Sequence, residues 1–90
     1  MSFTYSFYRQ MDEGEQRKSF AYWSGFDSLN GEWIWELIRS GEATCVGYGF
    51  PCWITVKAKD AIPHLSQEMS EFDPPVDPEE LIEIEAWDQS

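Results

Sequence analysis

Two stretches near opposite ends of the chain alternate apolar and polar residues with period two. Phe3, Tyr5 and Phe7 are separated by Thr4 and Ser6; Ile82, Ile84 and Ala86 are separated by Glu83 and Glu85. A β-strand sends successive side chains to opposite faces, so such a stretch buries one face and wets the other. For the second stretch a competing signal precedes it. Asp77-Pro78-Glu79-Glu80 supplies an N-cap, a first-position proline and acids at the positive end of a helix. The preferred reading is at most a turn of helix, then a strand with its glutamates in water. Periodicity alone leaves helix and strand open over residues 78–87.

Other segments complete the pattern. Residues 11–16 are polar around Gly14 and read as a turn; Phe20 and Tyr22 alternate again and predict a second strand pairing back on the first. A helix is expected from about Leu29 to Ser40, with Asp27 or Ser28 as cap, Arg39 in the last turn and Gly41 as the stop. Gly31 weakens that helix on propensity. Residues 42–50 and 52–59 read as two strands joined near Tyr48-Gly49, with Val46, Ile54, Thr55 and Val56 as good strand formers. Residues 60–72 predict a second helix, capped by Asp60 with Pro63 in its first turn. Residues 73–78, Asp-Pro-Pro-Val-Asp-Pro, form a stiff connection to an acidic C-terminal segment, 79–90. The expectation is a single small α+β domain spanning 1–90: an antiparallel sheet of about four to five strands, backed by two helices on one face.

Charge narrows the class of partner. Seventeen acids face six bases, a net charge of -11. Residues 1–60 hold all six bases and eight acids, hence -2; residues 61–90 hold nine acids and no base, hence -9. Such a field repels phosphate backbones and anionic membranes and attracts basic partners. No apolar run approaches the roughly 20 residues that span a bilayer. The start has no secretory signal pattern, and the two cysteines read as thiols of a reducing compartment, so the expected location is cytoplasmic. Size and composition resemble those of a small bacterial or phage-type domain.

The stretch Val46-Gly47-Tyr48-Gly49-Phe50-Pro51-Cys52-Trp53 resembles the third-strand signature of RNA-recognition motifs at Gly47, Tyr48, Gly49, Phe50 and Trp53. It departs at Val46, where that signature has a base, and at Pro51, where it has an aliphatic strand residue. Pro51 cannot donate to a ladder, and the stretch has no cation to meet a phosphate. A glycine-enabled hairpin is the better reading, and direct nucleic-acid binding is disfavoured. A two-residue loop at Tyr48-Gly49 would pair Cys45 with Cys52 across the strands.

Few residues point to catalysis. His64 is the single histidine, isolated from both cysteines, and neither thiol has a basic flank to activate it. Glu32 and Glu36, one helical turn apart, read as solvated-face residues. No catalytic residue, cofactor or metal site is assigned. On a helical wheel Leu29, Trp33, Ile34 and Leu37 group together, and Trp35 falls opposite, with Arg39. Trp35 is then either covered by another segment or a contact anchor.

The leading expectation is a non-enzymatic protein acting through protein–protein contact with a basic protein partner, as an inhibitor, an immunity protein or a nucleic-acid mimic. Its candidate surface comprises Trp35, Arg39, Glu79, Glu80, Glu83, Glu85 and Trp87. Homodimerisation through a strand edge or the Trp35 surface is compatible with the pattern. The alternative is a ligand-binding or enzymatic domain with an aromatic pocket between sheet and helices, lined by Trp23, Tyr48, Phe50 and Trp53.

Overall fold

The computed structural model describes residues 2–10, 18–26, 28–47, 49 and 51–88. Five strands, β1 (Ser2–Arg9), β2 (Ala21–Phe26), β3 (Thr44–Val46), β4 (Cys52–Lys57) and β5 (Leu81–Asp88), form one antiparallel sheet in the order β2-β1-β5-β4-β3. Helix α1 (Ser28–Ser40) links β2 to β3, and a short α2 (Ala58–Ala61) follows β4. The chain is a single α+β domain. The described residues contain no helix long and apolar enough to cross a membrane. The expected turn at 11–16 and the cap Asp27 lie outside the described residues.

The two alternating stretches pair with each other at the centre of the sheet. Tyr5 lies opposite Ala86 and Phe7 opposite Ile84. Strand β4 extends the same layer, with Ile54 opposite Ile84 and Val56 opposite Ile82. Directly opposed residues share a face, so three strands present one continuous apolar surface. Phe7, Ile54, Ile82 and Ile84 are fully buried there. Each such side chain contributes roughly 1.5–3 kcal/mol by leaving water. The helix signal at 77–80 yields to this sheet: Glu79 N–H donates to Asp77 Oδ1 at 2.8 Å and Glu80 N–H to the Asp77 carbonyl at 2.9 Å, a turn that leads into β5.

Helix α1 lies across β1. Its buried side is set by Gly31, Ile34, Trp35 and Ile38, spaced i, i+3, i+4, i+7. Gly31 is where the helix meets the sheet most closely. A Cβ there would stand 2.6 Å from the Tyr5 hydroxyl and 2.7 Å from its ring. The ring rests on the glycine, and one turn later Trp35 Nε1 donates to Tyr5 Oη at 3.0 Å. Trp33 lies on the adjoining side, with its ring 6.3 Å from Phe7. Gly41, at φ +86°, ends the helix: its N–H donates to the Ile38 carbonyl at 3.2 Å and Glu42 N–H to the Leu37 carbonyl at 2.9 Å. That is a Schellman closure, with glycine at the left-handed position.

The second helix is much shorter than the expected 60–72. Its N-cap is Lys57, and it stops at Ala61, giving way to a 3₁₀ turn over Ile62–Leu65 that contains Pro63. Proline lacks the N–H that would continue α-helical bonding, and Ser66, at φ 57°, reverses the chain. A second 3₁₀ turn covers Met69–Glu71. The 3₁₀ turn after α2 packs on α1, with His64 stacked on Trp33 at 4.2 Å between centroids.

Residues 73–80 are bound to the domain through Arg9. Arg9 continues the inward series of β1, opposite Ile82, and is 6% exposed. Its Nε donates to Glu80 Oε2 at 2.8 Å and its Nη2 to Oε1 at 2.9 Å. The remaining donors reach the carbonyls of Pro74 and Pro75. Val76 is buried, and its N–H donates to the Met69 carbonyl at 2.9 Å. The proline-rich connection is therefore part of the packed structure.

The β3–β4 hairpin corrects the expected register. Cys45 lies opposite Ile54 and Val46 opposite Trp53, so Cys45 does not face Cys52 directly. Pro51 offers no N–H to a ladder and sits outside it, just before β4. The connection is accordingly longer than two residues, and the pairing moves by two.

Replacing Gly31 by Ala is expected to destabilise the protein. Propensity alone favours Ala by about 1 kcal/mol in a helix. The added methyl must displace a buried ring, and overpacking of this kind costs about 1–3 kcal/mol. Urea unfolding of Gly31→Ala reads the sign: a raised midpoint would mean that Tyr5 does not rest on this residue.

Arg9→Met tests the clamp. Glu80 keeps 23% of its side chain exposed, so the cost is expected to be roughly 2–4 kcal/mol, short of the largest values for fully buried pairs. The Arg9 guanidinium holds the Glu80 carboxyl below its ordinary value of 4.5, against a smaller opposing effect of burial. A carboxylate with a lowered folded pKa stabilises fully above its unfolded value and loses that contribution as pH falls through the folded value. The difference in unfolding free energy between parent and Arg9→Met should be constant from neutrality down to about 4.5 and narrow below it.

Candidate functional site

Both helices cover one face of the sheet, and the opposite face carries the second half of every alternating pattern. In β5 Leu81, Glu83, Glu85 and Trp87 point away from the core, because Ile82, Ile84 and Ala86 point into it. In β4 Trp53, Thr55 and Lys57 do the same. The register aligns these residues into rows. One row runs across all five strands: Tyr22, Ser6, Glu85, Trp53, Val46. The next runs Tyr8, Glu83, Thr55, Thr44. Trp87 lies opposite Thr4 on the other side of the long row.

The exposed large apolar residues among those described are Tyr22, Val46, Leu81 and Trp87, and all four stand on this open face. Tyr22 and Val46 are 59% and 63% exposed at opposite ends of the long row. Glu85 sits at its centre. The Tyr8 hydroxyl donates to Glu85 Oε1 at 3.3 Å, and the Tyr8 and Trp53 rings lie 5.8 Å apart, tilted by 43°. Glu85 thus accepts from the Tyr8 hydroxyl and lies opposite Trp53 in the ladder. Among the described ion pairs none involves Glu85. Lys57, at the corner of the face opposite Leu81, is paired with Glu79 at 3.0 Å.

The other expected surface residues are dispersed. Glu83, Glu85 and Trp87 share the open face. Trp35 is on the far side of the sheet, half-buried, packed against Phe3 and hydrogen-bonded to Tyr5, so it does not share the open face with Glu83, Glu85 and Trp87. Arg39 is exposed near the end of the same helix. Glu80 is committed to Arg9, and Glu79 bridges Lys57 and Lys59, each at 3.0 Å. Those two lysines hold the Glu79 carboxyl below its ordinary value.

The expected pocket between sheet and helices does not gather around Trp53, which stands on the face away from the helices. Trp23 lies opposite Tyr5 in the ladder, and Tyr48 and Phe50 lie outside the described residues. The groove of about 350 Å³ beside Trp33, Glu36, Leu37, Ser40, Glu42 and His64 is an open feature on the helical side. Among the described residues no three His, Cys, Asp or Glu side chains converge as metal ligands. No protein-family model matches the chain, and no curated protein or solved structure matches it.

Both cysteines are free thiols; Cys45 is exposed and Cys52 buried. Burial, and then the neighbouring Cys45 thiol, push the Cys52 thiol up to about 11. The thiolate is the reactive form. In the native protein at about pH 8, Cys45 should react with a disulfide reagent first, with Cys52 slower by on the order of a hundredfold. Unfolding should bring the two rates together. A single fast phase for both thiols in the native protein would contradict this placement.

Proposed function

We propose that the protein acts by protein–protein contact, docking a basic partner on the open face of its sheet. The carrying observation is the coincidence on one face of the exposed apolar residues, Tyr22, Val46, Leu81 and Trp87, with two central glutamates, Glu83 and Glu85. Four exposed apolar residues spread over one face give a partner apolar contact on several sides of the glutamates, and the carboxylates among them select the charge of what binds. A second copy of this chain is a poor occupant, since each copy carries a net charge of -11. Nucleic acid is disfavoured by the same repulsion. Inhibitor, immunity protein and nucleic-acid mimic are the functional classes that act in this way: each offers fixed carboxylates to a surface evolved for anions.

Immobilised protein should retain a basic partner from a host lysate and release it at moderate salt. Glu83→Lys/Glu85→Lys should abolish retention. Glu32→Lys/Glu36→Lys makes the same change in net charge on the exposed side of α1 and should preserve it. Equal retention by the two double variants would show that the open face is not the docking surface.

A further inference from the structure

We infer that the Tyr8–Glu85–Trp53 cluster is the seat for an arginine side chain of the partner; the inference rests on the open face being the docking surface. The two rings are 5.8 Å apart, and Glu85 Oε1 accepts from the Tyr8 hydroxyl at 3.3 Å. An aromatic face attracts a cation within about 6 Å of its centroid, so a cation over this pair is within reach of both rings. Guanidinium matches the site better than ammonium. It is planar, stacks on aromatic rings, sheds water more readily, and donates two parallel N–H bonds to one carboxylate. Tyr8 occupies part of Oε1, and Oε2 of Glu85 has no hydrogen bond among the described residues, which leaves acceptor capacity for an incoming donor.

The seat is central, as an anchoring contact requires. Glu85 is the middle residue of the row Tyr22, Ser6, Glu85, Trp53, Val46, so partner surface extends over exposed apolar residues on both sides. Those flanks exclude water around a charged centre, the arrangement in which one arginine dominates an interface. Ser6, its other neighbour in the row, is small.

The test is titration of the full chain with oligo-arginine and oligo-lysine peptides of equal length, read by calorimetry and tryptophan fluorescence. The arginine peptide is expected to bind roughly fivefold tighter or more. Glu85→Gln, which keeps the shape of the side chain, should weaken arginine-peptide binding about tenfold. Trp53→Leu should erase the preference for arginine over lysine. Each variant's urea midpoint reports its fold, and Glu85→Gln suffices if Trp53→Leu is unstable. Equal affinity for the two peptides overturns the inference, as does parental binding by Glu85→Gln. If Glu83→Lys/Glu85→Lys nevertheless abolishes partner retention while Glu85→Gln binds as the parent, the docking face stands and only the arginine seat falls. If the charge reversals leave retention intact, the docking face itself is wrong.

Discussion

The structure depends on one buried cation. Arg9 follows Phe3, Tyr5 and Phe7 in the inward series of β1, so strand geometry carries its guanidinium to the end of the apolar layer. A charge taken out of water costs several kcal/mol unless it is paired and its donors are met. Glu80 meets it with two bonds, and the Pro74 and Pro75 carbonyls take further donors. Glu80 immediately precedes β5, so fixing it fixes where β5 starts, with Arg9 opposite Ile82. A slip of one residue would reverse every side chain of β5 between the faces. Glu83 and Glu85 would then enter the core. The ion pair at the sheet's end and the acidic surface at its centre are thus two consequences of one register.

How much of this could be read from the chain depends on the range of the determining contact. The first strand was legible from period-two alternation and Gly41 as a helix stop from local chemistry, while the last strand was preferred but left open against the helix start at 77–80. The face of Trp53 was also within reach: Ile54 and Val56 set the phase of β4, and that phase turns Trp53 outward. Gly31 misled, because propensity counts a helical glycine as a defect, while here its missing side chain admits Tyr5, 26 positions earlier in the chain. Once Gly31 is accepted as an inward position, Ile34, Trp35 and Ile38 fall into phase with it, and Trp35 ceases to be an outlier. Arg9 and Glu80 are 71 residues apart. Nothing local marks either as the other's partner, so Glu80 was read as part of the surface offered to a basic partner. The hairpin slipped for a different reason: the glycines suggested the tightest turn, and Pro51 required a longer one.

The resemblance to an RNA-recognition motif touched a real property. The protein does present aromatic side chains on an open antiparallel sheet. They come from Tyr8, Tyr22, Trp53 and Trp87, on four different strands, with only Trp53 belonging to the resembling stretch. What separates the two kinds of surface is the charge between the rings. Stacking is indifferent to the partner's identity, since a base and a guanidinium are both flat. A glutamate at the centre is the difference: a carboxylate repels the phosphates that accompany every base and offers an acceptor to a cationic donor.

At its β3 edge this sheet is better suited to binding through its face than to strand addition. Strand addition needs a long exposed edge whose backbone groups lack partners. At one end of the sheet the edge strand, β3, is three residues long, with Pro51 just beyond the hairpin. That edge offers little template for an added strand. The face, by contrast, crosses five strands and carries its carboxylates on the innermost of them. Central placement on a hydrogen-bonded sheet limits the motion of Glu85, and the Tyr8 hydroxyl limits it further. A side chain held before binding loses less entropy on binding. A face used only for solubility gains nothing from ordered carboxylates, because water solvates a mobile glutamate as well as a fixed one. The Tyr8 contact to Glu85 is a feature that the proposed recognition surface uses and that solvation does not require.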